Sequence, residues 1–303
     1  MSAIEAGQVS YRYGGVTALR GLDLDVPEGA LYAMLGPNGS GKTTLLQILI
    51  GLRRAQAGNA SILGIDSAKL SAQDRTRIAY VAEGQSLPGW MRLEELEAYL
   101  APMYPTWDKE LARQLRERFR LDPKRKISAF SRGGQMKAAL LCALAPRPSV
   151  ILMDEPFTGM DALVKDELVR GLLATAGSEG WTVLLCSHDI GELELLADWV
   201  GFLDDGVMRV SEPMDILYQR FKRVEVTLSP SDGSLEQYIR GDWLSVDRSV
   251  GRLSFLTSRA DVDAELARQF PPTATIEVRD ASLREIFVGL ARESELAQRG
   301  RAA

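Results

Sequence analysis

At 303 residues, with 46% hydrophobic and 25% charged side chains, the chain has room for one large α/β domain and a smaller one. A formal net charge of −5 argues against broad nucleic-acid affinity, which needs Lys and Arg in excess on one face. Residues 1–8 lack the basic and apolar stretches of a secretory signal, and no apolar run approaches the roughly 18–20 residues of a membrane span, so a cytosolic chain is expected.

Residues 9–26 alternate as strands do, with Gly14-Gly15 as the turn between two of them. Pro27-Glu28-Gly29 punctuates the entry into a short apolar run over residues 31–35. Gly36-Pro37-Asn38-Gly39-Ser40-Gly41-Lys42-Thr43-Thr44 follows and continues as an apolar helical segment to Ile50. A strand, the pattern G-x-x-x-x-G-K-[ST] and a helix in that order predict a phosphate-binding loop. The glycines let backbone N–H groups approach phosphate oxygens, and the helix start adds unpaired amides. Lys42 is expected on the β- and γ-phosphates and the Thr43 hydroxyl on Mg²⁺, which makes this a nucleoside triphosphate site.

Beyond it, residues 53–60 read as a polar turn, 61–64 as a short strand and 78–81 as another. Residues 93–119 carry helical spacing, interrupted at Pro102 and Pro105. The basic stretch Lys124-Arg125-Lys126 leads to Phe130-Ser131-Arg132-Gly133-Gly134 and a small-residue helix from Gln135 to Leu144. Then come a buried strand over 150–153, a helix over 162–176 and a second buried strand over 182–186. Cys142 and Cys186 both sit in apolar runs and are expected as buried free thiols. Strands alternating with helices imply βαβ units and a mainly parallel sheet.

Near Arg220 the character changes. Short strands are expected around 224–228, 244–247, 252–257 and 275–278, with helices around 262–270 and 283–297 and a disordered tail from Arg299. The expected division is an α/β domain over 1–220 and a small α+β domain over 221–303.

The strand over 150–153 runs into Asp154 and Glu155. Ligand sites in such sheets lie at the carboxyl ends of the strands, so Asp154 is placed to hold Mg²⁺ and Glu155 to take a proton from an attacking water. The plainer alternative is an acidic N-cap for the next helix. His188, the single histidine, follows the strand ending at Cys186 at the same edge and is a candidate for the chemistry. A structural histidine is the alternative.

Together these segments resemble the ATPase subunit of an ABC (ATP-binding cassette) transporter over about residues 9–220. The resemblance implies a P-loop NTPase core with an antiparallel β subdomain and an α-helical subdomain. Walker A falls on Gly36 to Thr44, Walker B on Val150 to Asp154 and the catalytic glutamate on Glu155. The H-loop histidine falls on His188 and the D-loop aspartate on Asp161. The adenine-stacking aromatic falls on Tyr13, with Tyr11 as the second candidate. The family's Leu-Ser-Gly-Gly-Gln signature, counted back from Walker B, falls on Phe130 to Gly134, with Arg132 in place of the first glycine. Ser131 and Gly133 would then meet the γ-phosphate of a partner's ATP, whereas a shifted register would end on Gln135. The Q-loop departs from the pattern, since Glu83 stands where the family has glutamine; a glutamate there could still ligate metal. Met91, Leu93, Leu96, Tyr99 and Leu100 fit either a groove for a membrane partner or ordinary core.

The resemblance further implies ATP and Mg²⁺, head-to-tail homodimers or heterodimers, a separate membrane permease, and a peripheral place at the cytoplasmic face of the inner membrane. Residues 280–287, Asp280-Ala281-Ser282-Leu283-Arg284-Glu285-Ile286-Phe287, resemble the ending of exporter ATPases and suggest export. A soluble ABC ATPase acting on ribosomes or DNA is the alternative function.

Overall fold

The structure is a computed structural model that describes residues 1–302 apart from 195–196, 230–233 and 259–261. It divides into two compact units, Met1–Ser211 and Glu212–Ala303. The division falls after Ser211 and not after Arg220.

The first unit opens with β1 (Ser2–Tyr13) and β2 (Val16–Pro27), paired antiparallel through the Gly14-Gly15 turn. Next come β3 (Leu31–Leu35), α1 (Lys42–Leu49), β4 (Ala57–Ile62) and β5 (Ile65–Asp66). The strand expected at 61–64 is thus longer, starting inside the supposed polar turn, because β1 offers its free edge to β4. These strands form a sheet in the order β2-β1-β4-β5.

A helical region follows, with α2 (Ala72–Arg75), β6 (Ile78–Val81), α3 (Leu93–Leu100), α4 (Lys109–Phe119) and α5 (Arg132–Leu144). Pro102 sits in a 3-10 turn after α3, as its missing N–H requires. Of the groove candidates, Leu93 and Leu96 are buried and belong to the core, while Tyr99 is exposed.

The unit is completed by β7 (Val150–Asp154), α6 (Ala162–Glu179), β8 (Thr182–Ser187), α7 (Ile190–Glu194), β9 (Trp199–Asp204) and β10 (Val207–Pro213). The second sheet runs β10-β9-β3-β8-β7-β6. The pairs β3/β8, β3/β9, β7/β8 and β6/β7 are parallel. Every residue of β7 and β8 is buried, as expected for central strands covered on both faces. Leu45, Leu46, Ile48 and Leu49 of α1 share one core with Ile4, Val9, Leu22 and Ile62 of the antiparallel sheet and with Met34, Leu152 and Leu184 of the parallel one. The helix of the phosphate-binding loop is therefore the packing link between the two sheets. Cys142 and Cys186 are buried and unpaired.

The second unit holds α8 (Met214–Arg220), β11 (Lys222–Thr227), β12 (Leu244–Ser249), β13 (Arg252–Thr257), α9 (Val262–Gln269), β14 (Thr275–Asp280) and α10 (Leu283–Ala302). Its sheet runs β12-β13-β11-β14, and its core includes Val224, Trp243, Phe255, Leu266 and Phe270. The tail from Arg299, expected to be disordered, is taken into α10 as far as Ala302.

Candidate active site

Because four strands run parallel and in register, they deliver their ends to one edge. Leu35 lies opposite Ser187, Asp154 opposite Cys186 and Val81 opposite Met153. The segments that follow them carry Gly36 to Gly41, His188, Glu155 and Glu83, and so converge. A cavity of about 400 Å³ opens there, lined by Tyr13, Asn38, Lys42, Thr43, Glu83 and Glu155 among others.

The loop has the geometry that its glycines allow. Gly39 and Gly41 have φ of 83° and 111°, a region costly for any side chain. A Cβ on Gly36 would lie 2.3 Å from the Leu203 carbonyl oxygen and 2.6 Å from Ser40 Oγ. Gly41 is the N-cap of α1 and no side chain caps the helix. The first-turn amides are left for an anion. Lys42 is buried and folds back over the loop: its Nζ donates to the Gly36 carbonyl (2.6 Å) and the Pro37 carbonyl (3.2 Å).

Glu155 sits at the centre of the charges. Its φ of 46° turns the chain out of β7, and its amide donates to the Cys186 carbonyl at 2.9 Å. Left-handed backbone at such a residue costs on the order of 1–3 kcal/mol and persists only where the surroundings impose it. Its Oε1 stands 3.5 Å from Lys42 Nζ. Its Oε2 accepts from the Thr158 hydroxyl at 3.3 Å and lies 2.8 Å from His188 Nδ1. A carboxylate only accepts, so in this hydrogen bond it is Nδ1 that carries the proton.

Asp154 is buried. Burial pushes its carboxyl above the ordinary value, a hydrogen bond from Thr43 pulls it down, and the charges of Glu155 and Glu83 push it up further. Asp154 Oδ1, Glu155 Oε1 and Ser40 Oγ are buried without a hydrogen-bond partner. Buried oxygens are rarely left so, and three around one phosphate loop fit a cation and a phosphorylated ligand. Among the described residues no group of three His, Cys, Asp or Glu could hold a metal unaided. Glu83 therefore does not complete a protein-only metal site. Thr43 and Asp154 suit Mg²⁺, which keeps waters and takes phosphate oxygens as its remaining ligands.

Tyr13 lines the cavity and Tyr11 does not, which separates the two aromatic candidates. The Tyr13 hydroxyl lies 3.3 Å from Thr44 Oγ1. Sequence reasoning missed the support behind the loop. The Gly206 amide donates to the Ser40 carbonyl at 2.9 Å, and a Cβ on Gly206 would meet the Ala18 carbonyl oxygen at 2.6 Å. The available signal was the apolar run before Asp204-Asp205-Gly206, a strand ending in a turn.

A family model described as "ABC transporter" matches residues 19–158. The sulfate/thiosulfate import ATP-binding protein CysA of Yersinia pseudotuberculosis is 32% identical over 254 residues, covering 80% of this chain and 70% of the relative. The uncharacterised ABC transporter ATP-binding protein YhaQ of Bacillus subtilis is 26% identical over 288 residues, covering 92% and 95%. The chain belongs to the ABC transporter family. It is an ATP-binding subunit and an ATPase. Among solved structures, an ATP-binding subunit of an ABC transporter superposes with a TM-score of 0.65 at 26% identity, covering 72% of this chain and 92% of that one. The dimeric cassette MJ0796, in a post-hydrolysis state with ADP and Pi, gives 0.62 at 25% identity, covering 70% and 98%.

In this cassette the stretch expected as the signature is not part of the cavity wall: Ser131, Arg132, Gly133 and Gly134 are absent from its lining. Ser131 is the N-cap of α5, its hydroxyl accepting from the Gly134 amide at 3.2 Å. The helix therefore starts at Arg132 and not at Gln135. A Cβ on Gly133 would lie 2.6 Å from Val164 Cγ1, and one on Gly159 would lie 2.5 Å from Arg132 Nη1. Gln135 turns its amide nitrogen back to the Phe130 carbonyl at 3.2 Å. Asp161 accepts from the Val164 amide at 3.0 Å and so caps α6.

Proposed function

We propose that this cassette hydrolyses Mg²⁺-ATP as the motor of a transporter whose membrane-spanning part is a separate permease, and that it works as a homodimer or heterodimer. The observation that carries the reading is the chain Lys42–Glu155–His188 beside an uncapped phosphate-binding loop. Lys42 would exchange its loop carbonyls for phosphate oxygens, and the α1 amides would take the rest of the anion's charge. Mg²⁺, held by Thr43 and Asp154, would neutralise charge on the phosphates. Glu155, positioned by His188 and Thr158, is placed to take the proton of the attacking water. Tyr13 would stack on the adenine, while Ser131 and Gly133 would contact the ATP of the facing subunit. The dimeric cassettes among the solved structures support the dimer. Among the described residues no helix is long and apolar enough to cross a membrane, which is consistent with peripheral attachment through the permease.

Export is not part of the proposal. Residues 280–287, which suggested it, build a helix cap: the Ser282 amide donates to Glu285 Oε2 at 3.0 Å, and the Glu285 amide to Ser282 Oγ at 3.3 Å. Arg279 pairs with the same carboxylate at 2.6 Å. A capping box serves any helix start, and the relatives 32% identical are named for import.

Glu155→Gln tests the reading. It should keep ATP binding, lower turnover by roughly 10²–10⁴-fold and accumulate an ATP-bound dimer on sizing columns. Membranes should yield the wild-type chain together with a multi-span protein. Normal turnover in the variant, or recovery of the chain on ribosomes or DNA, overturns the proposal.

A further inference from the structure

Arg53 lies just beyond α1 and reaches the two tyrosines at the end of β1. Its Nη1 donates to the Tyr11 hydroxyl at 3.0 Å and its Nε to Gln47 Oε1 at 2.5 Å. Its own amide donates to the Gln47 carbonyl at 3.0 Å. Held at these points, its guanidinium carbon stands 4.7 Å above the Tyr13 ring centre and 5.6 Å from that of Tyr11. The two rings meet edge to face, 4.9 Å apart at 66°. Tyr13 is tied at its far end to Thr44.

The Tyr13 ring is thus held at its hydroxyl, along its flank and on one face. Tyr13 lines the cavity, whereas neither Arg53 nor Tyr11 does. Arg53 and Tyr11 thus stand outside the lining to which Tyr13 belongs, and part of the Tyr13 ring stays open to the cavity.

We propose that Arg53 is a positioning residue for nucleotide binding: it fixes the Tyr13 ring as a preformed platform for the base. The inference rests on the reading of the cavity as an ATP site. A tyrosine on a hairpin end, 41% exposed, would otherwise have to be ordered by each arriving nucleotide. A cation over an aromatic face within about 6 Å supplies that order beforehand, and binding then costs less conformational entropy. Arg suits the task because its planar fork makes two hydrogen bonds while stacking on a ring.

The test uses the full chain and measures affinity for ATP and for inorganic tripolyphosphate, which has no base. Wild type is compared with Arg53→Met, Arg53→Lys, Tyr13→Ala and the double variant Arg53→Met/Tyr13→Ala, each checked for an unchanged thermal melt. Arg53→Met should raise the Kd and KM for ATP roughly two- to fivefold while kcat and tripolyphosphate affinity stay unchanged. Arg53→Lys should recover part of the loss. In the Tyr13→Ala background, Arg53→Met should have no further effect. Equal weakening of tripolyphosphate would assign Arg53 to bulk charge and overturn the proposal, as would a loss that adds in full to that of Tyr13→Ala. Wild type that fails to bind ATP would sink the site reading itself. Wild type that binds, with Arg53→Met binding equally well, sinks only this inference.

Discussion

At the scale of single residues the cassette concentrates charge where its ligand is to sit. Asp154 is buried with one oxygen unpartnered, and its carboxyl is held above the ordinary value chiefly by desolvation. For an acid that shift means the folded state holds the proton more tightly than the unfolded one. The ligand-free protein therefore loses stability as pH rises through the range just above the ordinary carboxylate value. Asp154→Asn removes the buried charge. It should raise the melting temperature of the nucleotide-free protein by a few degrees, at about 2–4 °C per kcal/mol for this size, while Mg²⁺-dependent hydrolysis is lost. Scanning fluorimetry with and without Mg²⁺-ATP reads both effects; an unchanged or lower melt for the free variant refutes the account. His188 makes its contact through Glu155 Oε2. His188→Ala should depress hydrolysis with nucleotide affinity nearly unchanged, and full activity would return the imidazole to a structural role.

Elements decide what these residues can reach. At the start of α5, Ser131 caps its own helix, whatever it contributes to a facing subunit. Ser131→Ala should cost about 0.5–2 kcal/mol of stability through the lost cap. Ser131→Arg should abolish hydrolysis while the single chain still binds ATP, since the phosphate loop lies elsewhere. Gln135 points back to Phe130, within its own helix start. Gln135→Ala should therefore be mild in ATPase assays, whatever it costs in stability. Measuring ATPase rate and nucleotide-dependent dimerisation for the Ser131→Arg and Gln135→Ala variants side by side decides the register of the signature. A dead Gln135→Ala beside an active Ser131→Arg would reverse the assignment.

On the scale of the whole molecule, the chain is two compact units with separate cores. Every residue placed at the cavity, from Tyr13 to the supporting Gly206, belongs to the first. A chain of residues 1–213, ending with β10, should fold cooperatively and bind ATP with an affinity close to that of the full chain. Denaturant melts and ATP titrations of the shortened chain check this. A shortened chain that folds but binds ATP tenfold more weakly would show that the second unit contributes to the site.

The amino-acid sequence determined those parts of the site that are local in the chain. A glycine loop between a strand and a helix needs only its own backbone freedom, and a uniformly apolar strand ending in Asp154-Glu155 announces its burial by composition. Local chemistry also accounts for the Ser282–Glu285 cap of α10, a helix start that by itself carries no direction of transport. Tertiary structure alone decided which of these segments meet. The order β10-β9-β3-β8-β7-β6 pairs strands far apart in the chain, and no spacing between β3, β6, β7 and β8 encodes it. That order sets Glu83 beside Asp154 and backs the phosphate loop with Leu203 and Gly206, while packing outside that sheet buries Leu93 and Leu96 and lays Arg53 on Tyr13. Each of these depends on which surfaces exclude water together, a property of the packed chain that is spread over residues distant in sequence.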